Sequence, residues 1–109
     1  MTGMKAVDSE QLASAFIAKA RIELAQHDVE IGCAVARQAL DLRPPDDPNT
    51  GWRHAEAQGV YGECLAQRGQ LGPARYQMQA ALAALERVRG ADHWMTRRVR
   101  TALRTLPIA

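Results

Sequence analysis

Small and apolar residues recur at three- and four-residue spacing along most of this chain, which is the periodicity of amphipathic helices. The pattern is clearest in the stretch YGECLAQRGQLGPARYQMQAAL, from Tyr61 to Leu82. There two such segments are joined by a tight turn, and small residues stand where two backbones would approach each other. This stretch predicts a helical hairpin around which the rest of the chain is organised.

The same periodicity, together with residues that start and stop helices, predicts five helices. Asp8, Asp28 and Asp92 can cap the first, second and fifth of them. Gly69 and Gly90 can take the left-handed conformation that ends the third and fourth. The expected ranges are about 9–26, 29–42, 52–67, 73–89 and 92–106.

Two segments are predicted to lie outside the helices. Residues 1–8 carry no helical pattern and are expected to be disordered. Residues 43–51 contain three prolines, which cannot continue a helix, and form the expected linker. The chain is therefore expected to be a single domain in which 9–42 and 52–89 are two helical pairs and 92–106 is a last helix.

Composition favours an all-α fold. Of the 109 residues, 47% are hydrophobic but only 5% are aromatic. Alanine and leucine dominate, and both are strong helix formers. We therefore expect a core of closely approaching helices with small side chains between them.

The chain also resembles itself at a distance of 42 residues. At this shift small residues fall on small ones and apolar residues on apolar ones: Ala13 on Ala55, Ala15 on Ala57, Ala20 on Gly62, Val29 on Leu71, Gly32 on Ala74, Ala39 on Ala81 and Leu40 on Leu82. These are the positions at which helices would pack. The pattern indicates an internal repeat.

The second unit resembles the tetratricopeptide repeat, a helix–turn–helix unit of about 34 residues. Gly62 stands at the small position of its first helix, and the second helix carries the small–large–small stripe Ala74, Met78 and Ala81. The 42-residue period and the segment Gly90-Ala91-Asp92-His93 are similar to a longer subtype found in kinesin light chains and in bacterial regulatory proteins. The resemblance covers about residues 9–106.

This resemblance implies an α-solenoid of two stacked helical hairpins and a C-terminal capping helix, in a right-handed array. Such hairpins cannot bury their apolar faces alone and must stack on neighbours. The last helix is expected to present Trp94, Val99, Leu103 and Leu106 inward. The N-terminal helix has no comparable cover, so its outer side is expected to be an open edge, which implies either a contact with a second copy or a missing upstream portion.

For function, the resemblance implies a non-enzymatic protein–protein interaction scaffold that binds a peptide or partner helix in a concave groove. The first helix of each pair would line that groove, with the residues Ser14, Ile17, Arg21, Glu56, Gly59, Glu63, Gln67, Arg98 and Thr101. The Lys and Asn clamp of co-chaperone members is not matched, since Ile17, Gly59 and Glu63 occupy its places. One alternative is a self-associating structural module, and another is binding through the C-terminal arginines.

Those arginines are concentrated at one end of the chain. Residues 87–109 hold six of them against a single acid, Asp92, within a net charge of +2 for the whole chain. A basic stripe can bind phosphates or an acidic partner. Only Trp94 is aromatic nearby, so no platform for base stacking is predicted. The pattern favours a solvated capping face, then an acidic protein partner, over nucleic acid.

No residue pattern indicates catalysis, a metal or a cofactor. His27, His54 and His93 lack the spacing of metal ligands, and two of them stand at predicted turns, where helix capping explains them. Glu56 and Glu63 are one heptad apart but show no acid–base pairing. We therefore expect a protein that is not an enzyme.

Cys33 and Cys64 fall on neighbouring predicted helices, where buried, reduced thiols are expected. A disulfide between them is the less favoured alternative, given the expected compartment. The first ten residues lack the apolar core of a secretory signal, and no apolar run approaches membrane-spanning length. A cytoplasmic location and no membrane partner are therefore expected.

Overall fold

The computed structural model describes residues 9–43 and 51–107. They form five α-helices: α1 (Ser9–Ala25), α2 (Val29–Asp41), α3 (Gly51–Gln67), α4 (Leu71–Val88) and α5 (Trp94–Thr105). No strand occurs among these residues. The predicted all-α fold is confirmed. The predicted Asp8 cap, the disorder of residues 1–8 and most of the linker lie outside the described residues.

Three predicted helix ends are confirmed. The Asp28 side chain caps α2 by accepting a hydrogen bond from the Ile31 amide, at 3.3 Å. Gly69 follows α3 with φ at +81°, and Gly90 follows α4 with φ at +91°. Glycine suits both positions because it has no Cβ to clash in the left-handed region.

Two other helix starts differ from the prediction. α4 begins at Leu71 rather than at Pro73. Because the first four amides of a helix have no intrahelical partner, proline is tolerated at its third position. His93, not Asp92, caps α5, since its Nδ1 accepts a hydrogen bond from the Met95 amide at 3.2 Å. The predicted capping role of a turn histidine is confirmed at His93.

Each helix packs against the next one in the chain. α1 with α2 and α3 with α4 form the two most extensive contacts, which we call hairpin 1 and hairpin 2. The α2–α3 contact joins the hairpins, and α5 packs on α4. Weaker contacts of α1 with α3 and of α3 with α5 bring these three helices to one side of the molecule.

Small residues set the distance between the paired helices. A Cβ atom on Gly62 of α3 would lie 2.8 Å from Met78 Cγ and 3.3 Å from the Ala74 carbonyl oxygen of α4. A Cβ atom on Gly32 of α2 would lie 2.7 Å from Leu24 Cδ2 of α1. Each hairpin therefore has a glycine where its two helices lie close together, and only at Gly62 does a backbone atom stand within 3.4 Å of the added Cβ.

Burial follows the 42-residue period with one informative exception. Both members are buried in four of the superposed pairs: Ala13 and Ala55, Ala20 and Gly62, Gly32 and Ala74, and Ala39 and Ala81. Ala57 is also fully buried, but its equivalent Ala15 is exposed. The difference marks the outer side of α1 as the side that lacks a neighbouring helix among the described residues.

The cysteine prediction was wrong in one respect. Cys33 of α2 and Cys64 of α3 are both buried, as expected, but they form a disulfide rather than two reduced thiols. Their Cα atoms lie 5.3 Å apart, within the range that a disulfide needs. The prediction of reduced thiols rested on the expected cytoplasmic compartment, not on distance, and the direct packing of α2 on α3 brings the two side chains within bonding reach.

Candidate functional site

The predicted groove residues lie on the side of the molecule shared by α1, α3 and α5. Two ion pairs bridge these helices across that side. Arg21 of α1 contacts Glu56 of α3 at 3.3 Å. Arg98 of α5 donates two hydrogen bonds to Glu63 of α3, at 2.9 and 3.0 Å.

The two bridges are equivalent under the 42-residue shift, with their charges reversed. The shift carries Arg21 onto Glu63 and Glu56 onto Arg98. Each bridge thus joins the same two positions of alternate helices, α1 with α3 and α3 with α5. The hydrogen bonds that Arg98 donates to Glu63 raise the pKa of the Arg98 guanidinium, against the opposing effect of partial burial. Residues predicted to contact a partner therefore contact one another in this structure.

A buried arginine connects α1 and α3 by hydrogen bonds at the hairpin 1 end of this side. Arg43, only 3% exposed, donates from Nη2 to Ser14 Oγ at 2.9 Å and from Nη1 to Glu56 Oε1 at 2.8 Å. It also donates to the Arg53 carbonyl at 3.0 Å. This network occupies Ser14 and Glu56, which gives both of them a structural role.

Two predicted groove residues are not accessible to a partner. Ile17 is buried in the core cluster. Gly59 is buried where α3 meets α5, and a Cβ atom on it would lie 3.0 Å from Val99 Cγ2. The cavity beside Gly59 measures only about 10 Å³. The prediction was wrong for these two residues because the helices approach too closely there to leave a groove.

The open part of this side is a shallow depression along α5, bordered by Glu63 of α3, which we call the α5 groove. It has a volume of about 560 Å³ and is lined by Glu63, Trp94, Arg97, Arg98, Thr101 and Ala102. A recess of about 290 Å³ adjoins it, sharing Glu63 and Ala102 and extending to Gln67 and Pro107. The structure thus brings Glu63, Arg98 and Thr101 together, with Gln67 in the adjoining recess.

Gln67 also has a contact inside the chain. Its Nε2 donates to the Leu24 carbonyl oxygen at 3.3 Å, so it links the end of α3 to the end of α1. That carbonyl belongs to the last turn of α1 and also accepts a hydrogen bond from the His27 amide, at 3.0 Å. The side chain therefore contributes to helix docking as well as lining the recess.

Trp94 also lies elsewhere than predicted. It was expected to face inward, but it is 53% exposed and lines the α5 groove. The Arg21 guanidinium lies 5.5 Å from the centre of its ring. Positions 94, 98 and 101 follow the spacing of a single helix face, and this spacing could have placed Trp94 beside Arg98 and Thr101.

The α5 groove carries an excess of positive charge. Arg98 is paired with Glu63, and Arg100 with Glu86 outside the groove. Arg97 lines the groove and has no ion pair within residues 9–43 and 51–107. A cation beside an exposed aromatic ring is a feature of many peptide-binding surfaces.

Among the described residues, no group of three or more His, Cys, Asp and Glu side chains could hold a metal ion. No described helix is both long and apolar enough to cross a membrane. Comparisons with protein-family models, with curated proteins and with solved structures gave no match. The resemblance to tetratricopeptide repeats therefore stays a prediction, and function must be argued from the site itself.

Proposed function

We propose that this protein is a non-enzymatic interaction module that binds a peptide or partner helix in the α5 groove. The observation that carries the proposal is the half-exposed Trp94 beside Arg97 and Arg98 in a depression of about 560 Å³. A large aromatic ring left in contact with water is a favourable anchor, because covering it removes much apolar surface from solvent.

The charges of the groove favour a partner segment with carboxylate groups next to an apolar residue. Arg97 offers a guanidinium with no ion pair among the described residues. Arg98 is held by Glu63 at 2.9 Å, and this pair positions its guanidinium at the edge of the groove. A partner carboxylate would bind Arg97 and compete with Glu63 for Arg98, since arginine forms paired hydrogen bonds with carboxylates.

A random peptide display library selected on the full chain tests this proposal. We expect enriched sequences that combine acidic residues with an apolar or aromatic one. Trp94→Ala and Arg97→Glu should each weaken binding of the enriched peptides by roughly tenfold or more, as for anchors in other interfaces. Fluorescence anisotropy with labelled peptides measures the change in Kd.

Two matched variants serve as controls, and their Kd values are measured with the same peptides. Tyr76 is an exposed aromatic residue of α4, and Arg87 is an exposed arginine near the end of that helix; neither lines the groove. Tyr76→Ala and Arg87→Glu should leave Kd within about twofold of the wild type. Equal losses in the control and groove variants, or no enrichment of any peptide, would reject the proposal.

Self-association is a second candidate function. The outer side of α1 is equivalent, under the 42-residue shift, to the side of α3 that α2 covers. The side of α3 that faces α2 is identified by the Cys33–Cys64 bond, by Arg37 lying 5.8 Å from the Tyr61 ring, and by the Arg68–Glu30 pair. The 42-residue shift carries these α3 positions onto α1 at Lys19, Ile22 and Gln26.

These α1 residues are all exposed, and Ile22 is 55% exposed. A second copy that docked on this side would cover the isoleucine. Sedimentation velocity at micromolar concentrations should then give a dimer for the wild type and a monomer for Ile22→Lys. Ala83→Lys, an exposed substitution on α4, is the control. A wild-type chain that stays monomeric up to about 100 μM, far above the Kd of a specific complex, eliminates this candidate.

A further inference from the structure

The disulfide is placed at the junction of the two hairpins. Cys33 belongs to hairpin 1 and Cys64 to hairpin 2, and the bond crosses the α2–α3 contact. The segment between α2 and α3 is the other covalent connection between the hairpins. The bond therefore restricts how far hairpin 1 can move away from hairpin 2.

The two cysteine residues differ in their exposure to solvent. Cys64 is fully buried, whereas Cys33 is 4% exposed and lines a surface pocket of about 280 Å³. The other residues of this pocket, which we call the Cys33 pocket, are Glu30, Ala34, Arg37, Tyr61 and Arg68. The pocket offers a small thiol a route toward Cys33, whereas Cys64 has no exposed surface.

Two guanidinium groups line the Cys33 pocket and can attract an incoming thiolate, and each is also paired with a carboxylate, of which Glu30 lines the pocket as well. These guanidinium groups belong to Arg37 and Arg68. Arg68 is paired with Glu30 at 3.1 Å, and Arg37 with Asp41 at 3.3 Å, which holds both guanidinium groups near the pocket. Nearby cations stabilise a thiolate relative to a thiol and so favour the nucleophilic form at the point of attack.

We propose that Cys33 is a thiol–disulfide exchange site, through which a small thiol or dithiol reductant opens the covalent connection between the hairpins. The reductant thiolate attacks Cys33 Sγ, and a new bond between these two sulfur atoms forms as the Cys33–Cys64 bond breaks. The electron pair leaves on Cys64 Sγ, which takes a proton from solvent. A dithiol reductant then closes on itself and releases Cys33, so that it is oxidised by two electrons and the protein gains two thiols.

The buried position of Cys64 couples this step to a movement of the hairpins. A thiolate leaving into an apolar core is unfavourable, because burial penalises its charged form. Release of Cys64 is therefore expected to accompany separation of α2 from α3. Hairpin 1 becomes more exposed in the reduced chain. The α5 groove is formed by residues of α3 and α5 and stays intact, because these helices remain packed together with α4.

Exchange with reduced glutathione tests the proposal on the full oxidised chain. After a short incubation and acid quenching, peptide mass spectrometry locates the mixed disulfide. We expect glutathione on Cys33 and not on Cys64. The double variant Arg37→Gln/Arg68→Gln should slow the reaction roughly tenfold, since it removes the cations that attract the thiolate. Arg87→Gln/Arg104→Gln, two exposed arginines far from the cysteines in sequence, is the matched control.

Hydrogen exchange provides a readout of the movement. Amides of α1 and α2 should exchange faster in the reduced chain, while those of α4 and α5 change little. Glutathione on Cys64, equal attack on both sulfurs, or an exchange rate that rises with urea in step with global unfolding would overturn the proposal. Such results would make the bond a structural cross-link only. A purified chain that forms no disulfide under mild oxidant would overturn it as well.

Discussion

Ala81→Glu is expected to unfold the chain. Ala81 is fully buried in α4. A Cβ atom on Gly59 would lie 4.0 Å from its Cβ, so the site lies where α3 and α4 approach each other. A glutamate there would have to bury a carboxylate without a partner or force the helices apart, at a cost of about 4 kcal/mol or more. Circular dichroism should show loss of most helical signal at 25 °C.

Ala83→Glu is the matched control for this substitution. Ala83 belongs to the same helix but is exposed, so the same change of residue should alter the free energy of unfolding by only about 0.5 kcal/mol. If Ala81→Glu unfolds in urea at the same midpoint as Ala83→Glu, the close packing of α3 on α4 is wrong, and the repeat interpretation of Tyr61–Leu82 is wrong with it.

Gly62→Leu is expected to have the second-largest effect. Any side chain on Gly62 meets Met78 Cγ at 2.8 Å and, more seriously, the Ala74 carbonyl oxygen at 3.3 Å. Met78 is flexible and can move, but a backbone oxygen inside a helix cannot move without shifting α4. Overpacking of this kind costs about 3 kcal/mol. Urea unfolding monitored by tryptophan fluorescence measures the decrease in the free energy of unfolding.

Gly72→Ala, on the other side of the turn, is expected to change the free energy of unfolding in the opposite direction to Gly62→Leu. Gly72 lies in the first turn of α4, and a Cβ atom on it would have nothing within 4 Å. Alanine there should stabilise the chain by about 0.5 kcal/mol, because it lowers the entropy of the unfolded state. Equal destabilisation by Gly62→Leu and Gly72→Leu would contradict the close approach seen at Gly62.

Much of the fold could be predicted from local chemistry. Asp28, Gly69 and Gly90 act within one or two residues of their positions, so their roles as cap and helix ends follow from residue type alone. The choice between Asp92 and His93 could not be settled in this way, because both side chains can accept a hydrogen bond from an N-terminal amide. Only the backbone conformation of the turn decides between them.

The site was harder to predict because it depends on how helices cross. Glu56 and Glu63 were expected to face a partner, and they do lie on the predicted side. The structure pairs them with Arg21 and Arg98. The crossing of α3 with α1 and with α5 brings each guanidinium within 3.3 Å of its carboxylate. The Cys33–Cys64 bond depends on the same crossing geometry. Sequence spacing places residues on a helix face, but it does not give the residues opposite that face.

The central claim is that the α5 groove is the partner-binding surface, and amide chemical shifts test it most directly. The uniformly ¹⁵N-labelled chain would be titrated with the tightest peptide from the display selection. We expect the largest shifts at the Trp94 indole N–H and at the amides of Arg97, Arg98 and Thr101, with smaller ones at Ala66 on the facing side of α3. Shifts centred on Ile22 of α1, with the Trp94 indole unchanged, would contradict the claim.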